Sequence, residues 1–600
     1  MKPINLDDPR ASLASVFEAQ AAGHPDRVAV EGDDARLTYR ALDRTADRIA
    51  DLILSRLEPG AETVALLFAP GAALIAAIMG ALKAGKIYVA LDPSYPAPRT
   101  AFMLADSAAR LLLTDRRHLH LAREVATKGQ AIVLTRDEDT PVSPRPPRPE
   151  VSGATGALLL YTSGSTGNPK GVLHTHRNVL VEVRNYTRDA HIGPDDRLSV
   201  WHSFSFANSV RNLFGALLNG AAVHPYDLPG QGLMPLPAWI HARGITMIHT
   251  LATTFRALTD ILPAAATFPG VRLLRLGGEG ITTGDVARFR RHFPRPCVLM
   301  HVMGPTETFS IRRLFIDHDW QGAPGKVPLG YPVADKEVLL LDEDGRPVTP
   351  GEPGEIVIRS KYLAVGYWRQ SELTRAVFLP DPEDGAMRRY VTGDLGIMTA
   401  EGCLTHLGRK DFQVKIRGTR VETAEIEVML SRLEGVKSSV VHAMPDRRGE
   451  SRLVAYVIPA PGASPTVPAM QRHLSAMLPD VMVPSSFVFL EEFPLLPNGK
   501  IDRRALPPPG VQRPRRPLVA PRHPLEAQIV AIWRELLDVP EVGIHDDFFE
   551  LGGHSLLAAR VVRRLEVEVG RELPITLLFS APTVAELAEA VRRPANTGAQ

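Results

Sequence analysis

A proline-rich segment near the carboxyl end divides this chain into two parts that cannot share one fold. The segment runs from Pro507 to Pro524 and has the sequence PPPGVQRPRRPLVAPRHP. Proline fixes φ and donates no backbone hydrogen bond, so such a run is typical of an extended linker. The residues after it, 525–593, repeat apolar side chains at helical spacing, as in LEAQIVAIWRELL and TVAELAEAVRR. This pattern predicts a small all-α domain of four helices.

The part before the linker has a different pattern. Short β-branched runs alternate with helical segments, which is typical of a large α/β architecture. A separate set of strands and helices near the linker, including QVKIRGTRVE and RLVAYVIP, predicts a compact α+β subdomain. We therefore expect a multidomain protein with a large α/β N-terminal subdomain, a small α+β C-terminal subdomain, a linker and a four-helix domain, divided as 1–408, 409–506, 507–524 and 525–593.

Composition excludes several classes of function. The chain has 600 residues, 44% of them hydrophobic, which is more than one core usually supports. Its formal charge is only +2 and its basic residues are dispersed, so we expect no nucleic-acid partner. Cys297 and Cys403 lie far apart without CxxC spacing, which indicates neither a disulfide framework nor a zinc site. A reducing cytoplasm is the expected compartment.

Membrane insertion is not expected either. The first residues, MKPINLDDPR, contain no apolar segment of the signal-peptide type. The apolar window from Val64 to Leu82 is long enough for a membrane helix, but Pro70 and Gly71 interrupt it. We predict a buried strand, a turn and a small-residue helix there, which is one β-α step of the core.

The phrase DDFFELGGHSLLAARVV places Ser555 at the first turn of a predicted helix. The N–H groups and the dipole at such a position favour a phosphate, although serine is also a common helix N-cap. The phrase resembles the carrier (thiolation) domains of nonribosomal peptide synthetases. The resemblance implies that Ser555 carries 4′-phosphopantetheine, attached by a phosphopantetheinyl transferase.

A second segment suited to phosphate is YTSGSTGNPKG, from Tyr161 to Gly171. Its glycines allow close backbone approach, its hydroxyls donate hydrogen bonds and Lys170 adds a charge. It is not a GxxxxGK[ST] loop, because Pro169 and Gly171 flank the lysine. It resembles the pyrophosphate loop of the acyl-adenylate-forming superfamily, which implies ATP contacts from Thr162, Ser163, Gly164, Ser165, Thr166, Gly167 and Lys170.

The resemblance to this superfamily continues in order along the chain. LGGEGI, with Gly278 and Glu279, resembles the adenine wall, and MGPTET supplies Gly304, Thr306 and Glu307. The resemblance implies that Thr306 lines the phosphates and that Glu307 ligates Mg²⁺. A carboxylate suits this cation, which prefers oxygen ligands.

Three later motifs extend the resemblance. YVTGDLG implies that Asp394 binds the ribose hydroxyls, and LGRKDFQVKIRGTRVE implies that Arg409 lies near the ribose and that a hinge lies at about Asp411. LPNGKIDRRAL implies that Lys500 reaches the substrate carboxylate during adenylation.

These parts imply the chemistry of an adenylate-forming ligase. A carboxylate attacks the α-phosphorus of ATP, and Lys500, Lys170 and Mg²⁺ offset the repulsion between the two anions. The acyl group then passes to the pantetheine thiol on Ser555, after the subdomain beyond Asp411 swings and withdraws Lys500. The expected acceptor is a downstream condensation or other acyl-accepting enzyme in trans. An MbtH-like helper protein is a further candidate partner.

The substrate pocket departs from the family pattern. In amino-acid-activating members, the segment resembling SFSFANSVRNLF has an Asp that pairs with the substrate's α-ammonium, and here that position is Ala207. An ammonium in a dry pocket without a counter-charge is costly, so we expect a keto, hydroxy or other polar acid. The resemblance also assigns to the pocket Asn208, Arg211, Thr250, Leu274, Leu276, Val302, Ser310 and Ile311.

Two further positions are informative. A buried Arg211 needs acceptors, so either the substrate supplies an oxygen or a protein group pairs with it; otherwise it points to solvent.

Met303 replaces the aromatic residue that usually stacks on adenine, and its sulfur can still pack against a π face. We expect weaker nucleotide affinity rather than lost activity. The nearby His202, His249 and His301 are expected to be packed or hydrogen-bonded rather than catalytic.

Three functional hypotheses follow. The first is carrier loading with an acid that lacks a conventionally bound α-ammonium. The second is activation of an amino acid, such as a β-amino acid, whose ammonium binds elsewhere, for example at Asn208. The third is a catalytically silent scaffold bearing a carrier, against which the intact Lys170, Glu307, Asp394 and Lys500 argue.

Overall fold

The structure is a computed structural model of the chain. It describes residues 6, 8, 10–58, 60–127, 129–134, 146–164, 167–410, 413–445, 451–494, 501, 503–509, 518–537, 539–549, 551, 553, 555–571, 573–574 and 576–592. Among the positions predicted to matter, Ser165, Thr166, Asp411 and Lys500 lie outside this set.

The large N-terminal subdomain begins with alternating helices and strands, as its sequence predicts. Its first elements are α1 (Leu13–Gly23), β1 (Val28–Glu31), β2 (Arg36–Thr38), α2 (Tyr39–Leu54), β3 (Thr63–Leu67), α3 (Ala72–Lys83), β4 (Ile87–Leu91), α4 (Ala97–Asp106), β5 (Leu111–Thr114), α5 (Leu119–Val125), β6 (Ala131–Leu134), β7 (Gly156–Thr162), β8 (Lys170–Thr175) and α6 (His176–Ala190).

The alternation continues through the second half of this subdomain. The elements are β9 (Arg197–Val200), α7 (Ala207–Leu217), β10 (Ala222–Pro225), α8 (Leu228–Gln231), α9 (Leu236–Ala242), β11 (Met247–Leu251), α10 (Ala252–Ile261), β12 (Leu273–Gly277), α11 (Thr283–His292), β13 (Val298–Met303), β14 (Arg312–Ile316) and β15 (Tyr331–Pro332).

A third, mainly antiparallel layer completes the subdomain. It contains β16 (Glu337–Leu341), β17 (Pro353–Ser360), β18 (Gly366–Tyr367), α12 (Ser371–Val377), β19 (Phe378–Pro380), β20 (Arg388–Met398) and β21 (Leu404–Arg409). Of these strands, β18 joins a different sheet by pairing with β8.

Two large sheets place the functional motifs at strand ends. One has the order β15-β14-β13-β12-β11-β9-β10-β1-β2, and the other β18-β8-β7-β4-β3-β5-β6. Strands β11, β12 and β13 run parallel, so the segments after their carboxyl ends meet at one edge of the sheet. These segments carry the predicted adenine wall and the predicted metal ligand.

The apolar window is a β-α step, as predicted. Its strand is β3 and its helix is α3, in which nearly every residue is buried. Gly80 lets α2 approach closely, because a Cβ there would lie 2.5 Å from Ile49 Cγ2. Among the described residues, no helix is both long and apolar enough to cross a membrane.

The C-terminal subdomain is α+β, as predicted. It contains β22 (Gln413–Ile416), β23 (Thr419–Glu422), α13 (Thr423–Ser431), β24 (Val436–Pro445), β25 (Ser451–Pro459), α14 (Val467–Ser475) and β26 (Ser486–Phe489). Strands β22 and β23 form a two-stranded hairpin, while β24, β25 and β26 form a sheet whose apolar face packs on both helices.

The carrier region forms α15 (Pro524–Leu537), α16 (Ser555–Val569), α17 (Thr576–Ser580) and α18 (Val584–Arg592). These helices enclose a separate core, in which Trp533 packs edge-on against Phe548 with ring centroids 5.1 Å apart. Ser555 is the first residue of α16, as its motif predicts. The overall fold class is therefore confirmed, whereas the exact domain boundaries remain predictions.

Candidate active site

The predicted phosphate loop connects two antiparallel strands, β7 and β8, in which Thr162 pairs with Lys170. Gly164 is required sterically, since a Cβ there would lie 2.1 Å from the Asn168 carbonyl oxygen. The Thr162 hydroxyl is buried and has no hydrogen-bond partner among the described residues. A buried donor of this kind suits a phosphate oxygen.

Lys170 and Glu307 both contact the Tyr367 side chain. The Lys170 Nζ lies 4.5 Å from the centre of the Tyr367 ring, and the Tyr367 hydroxyl donates to Glu307 Oε1 at 2.8 Å. Burial lowers the pKa of Lys170. Burial alone would raise the pKa of Glu307, but the charges of Arg420 and Lys170 outweigh it and lower that pKa to about 2. Glu307 is therefore an anion at neutral pH.

Glu307 fits the predicted role of a magnesium ligand. Its Oε2 atom is buried and has no hydrogen-bond partner among the described residues, so one carboxylate oxygen is free for a cation. The described residues contain no cluster of three or more metal-ligating side chains. A single carboxylate nonetheless suits Mg²⁺, which completes its coordination with substrate phosphates and water.

The predicted ribose site is built on two paired strands. Asp394 on β20 is the register partner of Arg409 on β21, and its Oδ1 lies 3.2 Å from the Arg409 guanidinium and 3.0 Å from His406 Nε2. Burial would raise the pKa of Asp394, but the His406 hydrogen bond and the charges of Lys415 and Arg409 lower it to about 2. Asp394 is thus a buried carboxylate that stays ionised, and it can accept hydroxyl donors.

Two predicted glycines occupy positions that a residue with a side chain would strain. Gly304 is required because a Cβ would lie 1.8 Å from the Phe309 carbonyl oxygen, and Gly278 adopts a φ of +81°. The Thr306 carbonyl accepts a hydrogen bond from His174 Nε2 at 2.9 Å. Met303 is buried in the cluster under the third layer, with 5% of its surface exposed.

The β22–β23 hairpin of the C-terminal subdomain inserts into this site. Glu279 Oε1 accepts from the Gly418 N–H at 2.6 Å, and the Ser163 hydroxyl donates to the Arg420 carbonyl at 2.6 Å. The Arg420 guanidinium donates to Glu307 Oε1 at 2.8 Å. Ser163, Glu279 and Glu307, which the sequence assigned to the nucleotide site, therefore also hold the hairpin.

The carrier domain docks beside the same site. Helix α16 contacts α10, and Arg560 forms an ion pair with Asp260. A cleft of about 590 Å³ is lined by Leu536 and Leu557 of the carrier and also by Glu279 and Asp394. The helix that begins with Ser555 therefore contributes Leu557 to a cleft that extends to Glu279 and Asp394.

The structure brings one part of the predicted substrate pocket together around α7. Ala207 is the first residue of this helix, and the Arg211 guanidinium donates to Asn208 Oδ1 at 3.0 Å and to Glu182 Oε1 at 2.5 Å. The Ser310 hydroxyl donates to the same Glu182 oxygen at 2.6 Å. Of the interpretations open for Arg211, the structure supports pairing with a protein group.

The structure places four other residues predicted for the pocket away from α7. Leu274 and Leu276 pack in a core cluster with Ile248 and Phe289, and Thr250 is the register partner of Leu276. Side chains alternate across a strand, so these three face away from α7. Ile311 packs in the core under the third layer.

The face of β12 toward α7 carries Arg275 and Gly277 instead. Arg275 contacts Ser310 and His249, and His249 Nδ1 lies 3.1 Å from Asn212 Oδ1 on α7. Gly277 pairs with Val302, which is buried in the same core cluster as α7. On the α7 side of the sheet, β12 thus presents Arg275 and Gly277, whereas Leu274 and Leu276 pack on the opposite side.

Sequence reasoning missed Glu182 and Arg275, and also Lys336, whose Nζ donates to Glu182 Oε2 at 3.2 Å. One signal was present for Arg275, since a single charge in the apolar run LLRLGG breaks the pattern of a buried strand. The histidines are packed or hydrogen-bonded as predicted: His301 bonds the Pro328 carbonyl at 3.0 Å, and burial lowers the pKa of His202 to about 4.

Three protein-family models match parts of this chain. The model of the AMP-binding enzyme family matches residues 17–368, more than half of the chain. The chain belongs to the AMP-binding enzyme family. Models of the AMP-binding enzyme C-terminal domain and of the phosphopantetheine attachment site match residues 425–500 and 527–591. This AMP-binding enzyme is accordingly an adenylation–thiolation didomain of the nonribosomal peptide synthetase type.

Curated relatives of this AMP-binding enzyme are much longer proteins. Gramicidin S synthase 2 of Brevibacillus brevis is 34% identical over 584 residues, which cover 96% of this chain and 13% of the relative. Phosphinothricin tripeptide synthetase PhsB of Streptomyces viridochromogenes is 38% identical over 595 residues, which cover 97% of this chain and 49% of the relative. The chain thus spans less than half of either relative.

Solved structures agree with the arrangement of domains. An NRPS protein containing adenylation and PCP domains, bound to a vinylsulfonamide inhibitor, superposes with a TM-score of 0.80 at 28% identity and covers 98% of each chain. A four-domain nonribosomal peptide synthetase bound to AMP and glycine gives a TM-score of 0.60 at 31% identity, covering 98% of this chain and 43% of that one.

Proposed function

We propose that this didomain activates a carboxylic acid without a conventionally bound α-ammonium as its acyl-adenylate, and transfers the acyl group to its own carrier. The single observation that carries the choice of substrate is Ala207 at the start of α7. A carboxylate at this position would be the counter-charge for an α-ammonium. Keto, hydroxy and other polar acids do not need it.

The surrounding charges support the same choice. Glu182 is the buried carboxylate beside α7, and it already accepts hydrogen bonds from Arg211, Ser310 and Lys336. Burial alone would raise its pKa, but the charges of Lys336 and Arg211 lower it to about 2. A relocated ammonium would have to displace one of these donors, which disfavours an ammonium site at Glu182.

The residues of the site would divide the adenylation chemistry between them. Lys170 and the loop after β7 hold the phosphates, Asp394 and Arg409 orient the ribose, and Glu307 would hold the magnesium ion. When bound, the magnesium ion offsets the charge of the phosphate oxygens. Lys500 is proposed to neutralise the attacking carboxylate.

We assign the arrangement in the structure to the second half-reaction, the acyl transfer. The carrier is docked, the passage from α16 reaches Glu279 and Asp394, and the β22–β23 hairpin occupies the phosphate side. In this arrangement the Arg420 guanidinium is the cation that pairs with Glu307. The pantetheine on Ser555, when present, supplies the accepting thiol. A phosphopantetheinyl transferase and a downstream acyl-accepting enzyme are the proposed partners.

A substrate panel tests the proposed acid class. We expect wild type to activate a non-amino carboxylic acid with a higher kcat/KM than any standard α-amino acid, measured by pyrophosphate release or hydroxamate formation. Ala207→Asp should weaken activation of that acid, because it places an anion beside a neutral or anionic group. An ordinary α-amino acid as best substrate, with kcat/KM unaffected by Ala207→Asp, would contradict the proposal.

The hairpin contact gives a second test. Arg420→Gln should slow acyl transfer about tenfold while changing acyl-adenylate formation by less than about threefold, since the Arg420 to Glu307 contact belongs to the transfer arrangement. Single-turnover measurements of each half-reaction separate the two steps. Arg432→Gln, an exposed arginine just after α13, is the matched control. Equal slowing of both steps by Arg420→Gln would count against the assignment.

A further inference from the structure

Arg275 is a buried arginine without a carboxylate partner among the described residues. It lies in the middle of β12 with 2% of its surface exposed. Its Nη2 donates to Ser310 Oγ at 2.8 Å, and its Nη1 lies 3.2 Å from His249 Nε2, the ring nitrogen left to accept because Nδ1 faces the Asn212 oxygen. Its Nε is buried with no hydrogen-bond partner in the described part of the chain. A neutral hydroxyl, a neutral imidazole and the face of the Tyr186 ring, whose centre lies 4.9 Å from the guanidinium carbon, compensate this charge only partly.

A second buried arginine shows how such a group is normally accommodated. Arg312 on β14 is equally buried, but it donates to the carbonyl oxygens of Gly402 and Gly330 at 2.8 and 3.4 Å. The backbone therefore supplies acceptors for Arg312. Among the described residues no backbone carbonyl accepts from Arg275, whose guanidinium instead lies over the Tyr186 ring, 4.9 Å from its centre.

The charges around Arg275 leave an excess of cations. Arg211 and Lys336 share Glu182 as their carboxylate, and Asp189 pairs with Arg313 at 2.9 Å. Burial, followed by the charge of Arg211, lowers the pKa of Arg275 to about 9. Three buried cations, Arg211, Lys336 and Arg275, therefore surround one carboxylate on the side of the sheet that carries α7. An anion bound there would remove this imbalance.

The position of this excess charge coincides with the candidate substrate pocket. Arg275 reaches α7 through His249, whose ring bonds Asn212, and it reaches the pocket residue Ser310 directly. Burial lowers the pKa of His249 well below its usual value, so the neutral ring can orient the guanidinium without adding another charge. At the start of the same helix, Ala207 offers no counter-charge to a cationic substrate.

We propose that the activated acid carries a second carboxylate and that Arg275 binds it. The substrate class is thus a short dicarboxylic acid: one carboxylate reacts with ATP, and the other pairs with Arg275 at the far end of the pocket. Short acids fit best, since the cavity that Arg275 lines with Ser310 and Val302 has a volume of only about 10 Å³. The inference rests on the proposed adenylation of a non-amino acid and specifies its substrate.

Matched pairs of acids test this on the wild-type didomain. Malonate is compared with propionate, succinate with butyrate, and 2-oxoglutarate with 2-oxopentanoate, each by ATP–pyrophosphate exchange. We expect the best dicarboxylate to exceed its monocarboxylate partner at least about tenfold in kcat/KM. A monocarboxylate equal to or better than its partner in every pair would overturn the proposal, even if adenylation itself is confirmed.

Variants then assign the preference to Arg275. Arg275→Met should lower kcat/KM for the preferred dicarboxylate roughly 10²-fold and leave its monocarboxylate partner within about threefold. Arg312→Met removes an equally buried guanidinium away from the pocket and should keep the wild-type preference. Equal losses for both acids in Arg275→Met, with its unfolding temperature unchanged, would contradict a binding role. If Arg275→Met fails to fold, the wild-type pairs alone decide.

Failure of this inference can be separated from failure of the proposed function. A preference for aspartate or glutamate would refute the non-amino-acid proposal but support a second carboxylate at Arg275. A preference for a neutral keto or hydroxy acid would support the non-amino-acid proposal but refute the binding of a second carboxylate by Arg275. An uncharged amino acid as best substrate would refute both.

Discussion

Ser555→Ala should leave the chain without a pantetheine arm and abolish acyl loading of the carrier, because no other hydroxyl stands at the start of α16. Adenylation should continue, since the carrier has its own hydrophobic core and Ser555 belongs to that separate domain. Coexpression with a phosphopantetheinyl transferase, followed by intact-protein mass measurement, checks the modification. Incubation with the best acid and ATP then checks for a covalently bound acyl group.

The matched control for this experiment is Ser580→Ala. Ser580 is an exposed serine at the end of α17, and its hydroxyl bonds the Leu577 carbonyl. This variant should gain one pantetheine arm like wild type. A wild-type chain that stays unmodified under conditions that load another carrier domain would refute the role of Ser555.

Motifs of contiguous residues were predictable from the sequence because their chemistry is local. Gly164 and Gly304 are required by backbone atoms only a few residues away, and Ser555 begins its helix as the motif indicates. The apolar window was predictable for the same reason, since Pro70 and Gly71 mark where the strand must end. The fold class follows from such local patterns repeated along the chain.

The substrate pocket was less predictable because it depends on which face each strand residue presents. A displacement of one residue in β12 exchanges Leu276 for Arg275, since successive side chains point to opposite faces. The motifs near the pocket do not determine which residues of β12 share a face with α7. The pairing of β11 with β12 in the structure does determine it. The partner of Arg211 was also hidden, because Glu182 lies on α6, in a segment without a recognisable motif.

The hairpin contacts could not be predicted from sequence, because they depend on the relative position of two subdomains. Arg420 lies 113 residues from Glu307 in the chain, yet the two side chains form a partly buried ion pair. The resemblance predicted that the C-terminal subdomain moves but not which residues it brings to the site. In the structure, the residues that the hairpin brings to the site are Gly418 and Arg420.

Lys500→Ala should reduce acyl-adenylate formation by roughly 10²–10³-fold, the usual effect of losing one key electrostatic contact in a transition state. Lys500 lies outside the described residues, so the prediction rests on its motif and on charge. Two anions must approach each other in this step, and Lys170 with the magnesium ion serves the phosphates rather than the attacking carboxylate. Pyrophosphate release in single turnovers measures the effect.

The same variant should transfer a preformed acyl group almost normally, because in the proposed transfer arrangement Arg420 of the β22–β23 hairpin is the cation that contacts Glu307. Purified acyl-adenylate supplied to the pantetheine-bearing variant tests this, and Lys437→Ala, an exposed lysine on β24, is the matched control. Lys500→Ala and Arg420→Gln should therefore have opposite effects: loss of Lys500 should slow adenylation, and loss of Arg420 should slow transfer. If Lys500→Ala slowed both half-reactions equally, a single fixed arrangement would explain the enzyme better than two alternating ones.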